Sequence, residues 1–255
     1  MSRRALILAY HAIEAGSGPL CLDPNRFRAQ LDCLAEAGAH TMTVSELATA
    51  LRRRALPEVA VAITFDDGAA SVARTAVPML AEHGMRATVF CVAGYLGRVN
   101  DWPNDPPGRC RYELATGAEI ADMAAAGVEI GCHGMRHVPL IEPTAGTLRR
   151  ELVESKGVLE ETAGEPVSSF AYPYGVVSRD ARALAQSTYA AACTTVNARA
   201  ELDADLFALP RVEMHYLRRP QLLRRVLAGS DLYLRLRRTG GRARRAFWRD
   251  YARPS

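Results

Sequence analysis

The chain has 255 residues, is 49% hydrophobic and 24% charged, and carries a formal net charge of +4. This length and apolar content exclude a disordered chain and suit one α/β barrel domain with a well-buried core. No apolar run approaches a membrane span, and the start, Met1-Ser2-Arg3-Arg4 followed by Ala5 to Ala9, holds too short an apolar stretch for a secretory signal.

In chain order, Ala5–Tyr10 reads as a buried strand that ends at His11. Asp23-Pro24 opens a first helix with Phe27, Leu31, Leu34 and Ala35 on one face and Gly38 as its stop, and Ser45 starts a second. The β-branched run Val59–Thr64 is a second buried strand, leading into Thr64-Phe65-Asp66-Asp67-Gly68. A third helix begins near Ala69, and Pro78, Leu80 and Gly84 bracket its end. A strand over Ala87–Val92 then precedes a long insertion, Gly94 to Ala115, which contains Asp101, Trp102, Pro103, Asp105, Pro106, Pro107 and Tyr112 and reads as a loop over the barrel mouth. Val128–Gly131 is a strand before His133-Gly134-Met135-Arg136-His137, and further strands are expected at Ser169–Ala171, Ala190–Thr194 and Phe207–Leu209. Strands alternating with helices argue for a distorted (β/α) barrel of about seven parallel strands, spanning residues 1–215, whose active site lies at the strand C-termini.

Two fragments carry the chemistry. Adjacent carboxylates at a strand end repel, and the pair is relieved if a cation takes one while the other stays free to accept a proton. Histidines at i and i+4 bring their Cβ atoms to about 5–6 Å if the segment is helical. One carboxylate and two imidazoles make a three-ligand set for a divalent metal, with positions left open for water and substrate. Each fragment alone has a plainer reading: Asp-Asp-Gly as a turn with Asp67 capping a helix, and His-x-x-x-His as surface or core histidines.

Together the fragments resemble the NodB-type polysaccharide deacetylases, the family-4 carbohydrate esterases. Thr64 to Gly68 matches the first family motif, Gly131 to Leu140 the second, and Phe170-Ala171-Tyr172-Pro173-Tyr174-Gly175 a variant of the third. The likeness runs from about Ala5 to Arg211. It implies a metal-dependent N-deacetylase of amino sugars, with Asp66 as base, Asp67, His133 and His137 holding the metal, most simply Zn²⁺, and the Tyr174 backbone N–H at the oxyanion. Two departures stand out. Ala171 occupies a position where the family often has arginine, and no Leu-x-His lies near the C-terminus to supply the acid. The opening strand is similar to that of the circularly permuted poly-N-acetylglucosamine deacetylases, which makes His11 the expected acid and His215 the weaker claimant. A strand-end histidine bonded to a loop carbonyl is the plainer reading of His11. Arg211 is the expected substitute for the missing arginine, reaching Asp66 through a bidentate contact. Tyr172, Tyr10 and Trp102 are candidate substrate contacts, although Trp102 could equally pin the insertion to the core.

The six cysteines lack a CxxC pair and fit free thiols in a reducing compartment, so a cytoplasmic protein acting on a precursor, a lipid-linked sugar, a nucleotide sugar or a small glycoside is expected. The C-terminal extension, residues 216–255, holds twelve arginines against Asp231 and Asp250, which leaves the rest of the chain at −6. Leu232, Tyr233, Leu234, Leu236, Phe247, Trp248 and Tyr251 are interleaved with those arginines. Such a mixture suits either an anionic membrane face or a solvated helix pair packed on the barrel; no nucleic-acid motif accompanies it. Alternatives to the sugar deacetylase are a deacylase of a non-sugar amide and a catalytically weak glycan-binding relative.

Overall fold

The computed structural model describes residues 4–16, 18–103 and 110–236. Seven parallel strands curl into an open barrel: β1 (Leu6–Tyr10), β5 (Ala60–Phe65), β6 (Ala87–Cys91), β7 (Glu129–Cys132), β8 (Ser169–Ala171), β9 (Ala191–Cys193) and β10 (Val212–Glu213), in the spatial order β10-β1-β5-β6-β7-β8-β9. Two features had no signal in the sequence pattern. One is a short pair, β2 (Ala12–Ile13) with β3 (Cys21–Leu22); the other is β4 (His40–Met42), which pairs with the first half of β5 while β6 takes the second half. Runs of two or three residues are too short to show a period.

The last strand corrects an expectation. Instead of Phe207–Leu209 it is Val212–Glu213, with Val212 opposite Leu8. Pro210, which has no N–H, divides the segment. Before it, Leu209 exchanges backbone bonds with Ala192 and Thr194 of the β9 side; after it, the chain joins β1. Residues 209–213 therefore bridge the two edges of the sheet.

Helices α1 (Pro24–Glu36), α2 (Val44–Arg52), α3 (Val77–Glu82), α4 (Gly117–Ala125), α5 (Ala145–Arg149), α6 (Ser155–Ala163), α7 (Arg179–Thr188) and α8 (Pro220–Leu227) complete the fold. Asp23 caps α1 by accepting from the N–H groups of Asn25 and Arg26, and Thr43 and Thr116 form capping boxes with Glu46 and Glu119. Strand parity sorts the core into two clusters. Leu6, Leu8, Tyr10, Val61, Ile63 and Phe65 pack outward against the helices. Ala5, Ile7, Ala60, Ala62, Phe90, Ala171, Ala191, Cys193 and Leu209 form an inner cluster, mostly of small side chains, closed at one end by Val44, Leu47 and Leu51 of α2. Continued by two residues, the inner parity of β5 delivers Asp66, that of β1 His11 and that of Leu209 Arg211.

The C-terminal segment is packed as far as it is described. Leu217, Leu223, Val226 and Leu234 join the main core, the buried Gln30 donates to the Leu217 carbonyl, and Asp231 is paired with Arg4 and Arg199. Phe247, Trp248, Tyr251 and the arginines beyond residue 236 lie outside the described residues. Among the described residues no helix is long and apolar enough to cross a membrane.

Candidate active site

Asp66 stands one residue beyond β5, its N–H bonded to the Tyr10 carbonyl at 2.9 Å. Arg211 meets it side-on: Nη1 lies 2.6 Å from Oδ1 and Nη2 2.7 Å from Oδ2, the two-pronged geometry of a guanidinium on a carboxylate. The guanidinium is wholly buried, its Nε donating to the Thr194 carbonyl at 3.1 Å and its Cζ lying 5.5 Å from the Phe90 ring centroid. Burial alone would raise the Asp66 carboxyl, but the Arg211 charge, helped by His133, outweighs it and holds the group well below the usual carboxylate range. Asp66 is thus anionic, oriented and shielded from water.

Asp67 turns the other way because its backbone adopts φ 70. Its Oδ1 lies 3.6 Å from His133 Nε2 and 3.4 Å from His137 Nε2, and one donor atom from each of the three residues falls within 4.8 Å of the others. His133 Nδ1 is 2.7 Å from the Ala171 carbonyl, which can only accept, so the proton sits on Nδ1 and the Nε2 lone pair faces Asp67. Asp67 Oδ1 is buried without a hydrogen-bond partner. An orphaned carboxylate oxygen facing two imidazoles is the donor set a divalent ion such as Zn²⁺ requires, so these residues fit a metal.

The histidine pair converges without a helix. Residues 133–137 form a loop with Gly134 at φ 87 and His137 at φ 54. Its anchor is Glu151, which the sequence reading missed: Oε2 of this buried side chain accepts from the N–H groups of Met135 at 2.8 Å and Arg136 at 3.0 Å. A Cβ on residue 134 would meet that oxygen at 2.6 Å, so glycine is required there on two counts.

The other expected residues are distributed unevenly. His11 stands one residue beyond β1, close enough to Asp66 and Asp67 to interact with both carboxylates. His215, in the short turn Met214–Leu217 after β10, is exposed and lines the same small cleft as His11. Tyr174 sits at φ 58 in the turn after β8, its ring edge-on to His137 with centroids 4.6 Å apart. Trp102 is buried and stacked on His137, centroids 4.6 Å apart at 25°, with Tyr95 behind it. Its ring faces the His137 imidazole. Tyr10 is buried against Phe27 and Phe65, and Tyr172 is fully buried with its hydroxyl on the Phe207 carbonyl, so neither is open to solvent. Tyr112, at the far end of the insertion, donates its hydroxyl to Asp67 Oδ2.

The sequence profile of the polysaccharide deacetylases matches residues 53–192, more than half of the chain. The chain belongs to the polysaccharide deacetylase family. Among its relatives in the family is YxkH of Bacillus subtilis, a candidate polysaccharide deacetylase, 29% identical over 210 residues, 82% of this chain and 70% of that protein. The poly-β-1,6-N-acetyl-D-glucosamine N-deacetylase of Staphylococcus aureus is 24% identical over 61% of this chain, which spans only 54% of that protein's length. The fold is shared with the deacetylase PplD of Streptococcus pyogenes, solved with acetate, at a TM-score of 0.72 and 24% identity over 83% of this chain and 92% of that one. IcaB from Ammonifex degensii also gives a TM-score of 0.72 and 24% identity, over 89% and 96% of the two chains. The profile match ends short of His11 on one side and of Arg211 on the other; the strands alone bring these two near Asp66.

Proposed function

We propose that this protein removes the N-acetyl group from an amino sugar by metal-assisted hydrolysis. The observation that carries the reading is the juxtaposition of a buried carboxylate held ionised by Arg211 with an Asp67–His133–His137 donor set whose carboxylate oxygen lacks a partner. A divalent ion held there supplies Lewis acidity to the acetyl carbonyl and brings the pKa of water to about 7. Asp66 takes the proton of the attacking water, and Arg211 holds it with its oxygens fixed. The Tyr174 N–H serves the developing oxyanion. His11, protonated, passes a proton to the departing amine, without which an amine is a poor leaving group.

The name of the staphylococcal relative supports β-1,6-linked N-acetylglucosamine as the substrate class. Residues 1–215 are then the catalytic barrel and 216–255 an extension of separate role. Exposed Leu232 and Leu236, one turn apart beside Arg235, favour a peripheral contact with an anionic membrane surface.

The test is acetate release from β-1,6-linked N-acetylglucosamine oligomers by the full chain loaded with Zn²⁺, set against a simple non-sugar acetamide. Turnover of the oligomer alone supports the proposal. Equal turnover of both points to a general amide deacylase, and metal uptake without turnover of either points to a glycan-binding relative.

A further inference from the structure

The insertion between β6 and α4 is joined to both turns that carry the metal ligands. At its start, the N–H groups of Ala93 and Gly94 bond the carbonyls of Gly134 and Met135, both at 2.9 Å, between His133 and His137. The approach is close: a Cβ on Gly94 would meet the Met135 carbonyl oxygen at 2.5 Å. At its end, Ala115 N–H bonds the Gly68 carbonyl at 2.8 Å and the Glu113 carbonyl accepts from Ala70 N–H at 2.9 Å, directly after Asp67. Within the insertion, fully buried Asn100 sets the position of Tyr112. Its Oδ1 accepts from Tyr112 N–H at 2.8 Å, its own N–H reaches the Tyr112 carbonyl at 3.2 Å, and its Nδ2 donates to Cys110.

Two side chains use this frame. Tyr112 donates its hydroxyl to Oδ2 of Asp67, and Trp102 lies flat on His137. The two oxygens of Asp67 are thereby made unequal. Oδ2 is occupied by the phenol, while Oδ1 faces the two imidazole nitrogens with no hydrogen bond.

We propose that the insertion braces the metal site and that Tyr112 is its positioning residue, selecting Oδ1 of Asp67 as a single-oxygen ligand, while Trp102 fixes the plane of His137. The inference rests on the metal reading of the triad. Partners that orient ligands in this way typically contribute 10–100-fold to metal affinity. Tyr112→Phe removes one oxygen atom and keeps the ring that fills the core, so it separates orientation from packing.

The experiment measures Zn²⁺ affinity of the metal-free full chain by competition with a chromophoric chelator, for the natural protein, Tyr112→Phe and Trp102→Phe. Thermal melting of each metal-free protein and the visible spectrum of each Co²⁺-loaded protein are recorded alongside. The expected result is about 10–100-fold weaker Zn²⁺ binding for Tyr112→Phe, a smaller loss for Trp102→Phe, metal-free melting close to that of the natural protein, and an altered Co²⁺ spectrum for Tyr112→Phe as the second oxygen of Asp67 becomes free to coordinate. Affinity within twofold of the natural protein together with an unchanged Co²⁺ spectrum overturns the brace and leaves the metal site standing. A natural protein that takes up no Zn²⁺ overturns the metal reading, and the brace falls with it.

Discussion

The two halves of the site reach the barrel mouth by different means. Asp66, His11 and Arg211 continue the inner parity of strands, so the sheet aims them, and Arg211 is further fixed by Thr194 and Asp66. Asp67 and His137 sit in turns at φ 70 and φ 54, and their side chains lean on groups from elsewhere: Tyr112 for one, Trp102 for the other, with Glu151 holding the loop between the histidines. On the proposed roles, the proton-transfer groups carried by strands should fail one at a time when mutated. Ligands carried by turns should fail as a set, because each depends on the geometry of its neighbours.

The largest expected effect is on the turn-borne half. Asp67→Asn or His137→Ala removes a donor and should abolish stoichiometric metal binding together with turnover, read by elemental analysis after dialysis. A variant that keeps its full metal content would break the comparison at its base. On the strand-borne half, Asp66→Asn and His11→Ala should each lower turnover by about 10²–10⁴-fold while the metal stays bound. His215→Ala should leave turnover within a few-fold. If the two histidine variants exchange these outcomes, the permuted opening strand is the wrong source of the acid.

Arg211→Ala sharpens the contrast further. It leaves Asp66 buried with its ion-pair partner gone, which typically costs about 3–5 kcal/mol. The variant should melt markedly lower and turn over slowly, yet bind Zn²⁺ with affinity near that of the natural protein, since Arg211 touches no ligand. Arg211→Lys keeps the charge but loses the fork and should recover stability more than rate.

What the sequence disclosed follows the same division. The family, the parallel barrel and the strand ends bearing Asp66 and His133 were legible because buried β-branched runs and the Asp-Asp-Gly and His-x-x-x-His fragments are local signals. Pairing Arg211 with Asp66 across 145 residues was inferable only from the strand expected before it, which the structure places after it instead. Glu151 and Tyr112 left no trace that could be read, since an acid in a helix and a tyrosine in a loop acquire their meaning from what the fold places opposite them. The i, i+4 spacing suggested a helix, but a carboxylate holding two backbone N–H groups makes the histidines converge from a loop. β4 and the Pro210 break were lost for a related reason: their hydrogen bonds are spread over too few residues to impose a period.

The smallest predicted effect tests whether the strand-borne pair stabilises the fold apart from its chemistry. Burial acts to raise the Asp66 carboxyl, Arg211 and His133 act to lower it, and the lowering prevails, so its pKa is depressed on folding. A depressed carboxyl contributes stability that is fully present above its unfolded pKa, about 3.9, and is lost as pH falls through the range toward its folded value. Asp66→Asn has no such group and leaves Arg211 with a neutral partner. In metal-free protein the natural chain should therefore melt above Asp66→Asn between pH 5 and 7, with the gap roughly constant there and narrowing below about pH 4. A gap that instead narrows between pH 5 and 7 would mean that Asp66 titrates near neutrality in the folded protein. Arg211 would then orient Asp66 without fixing its charge.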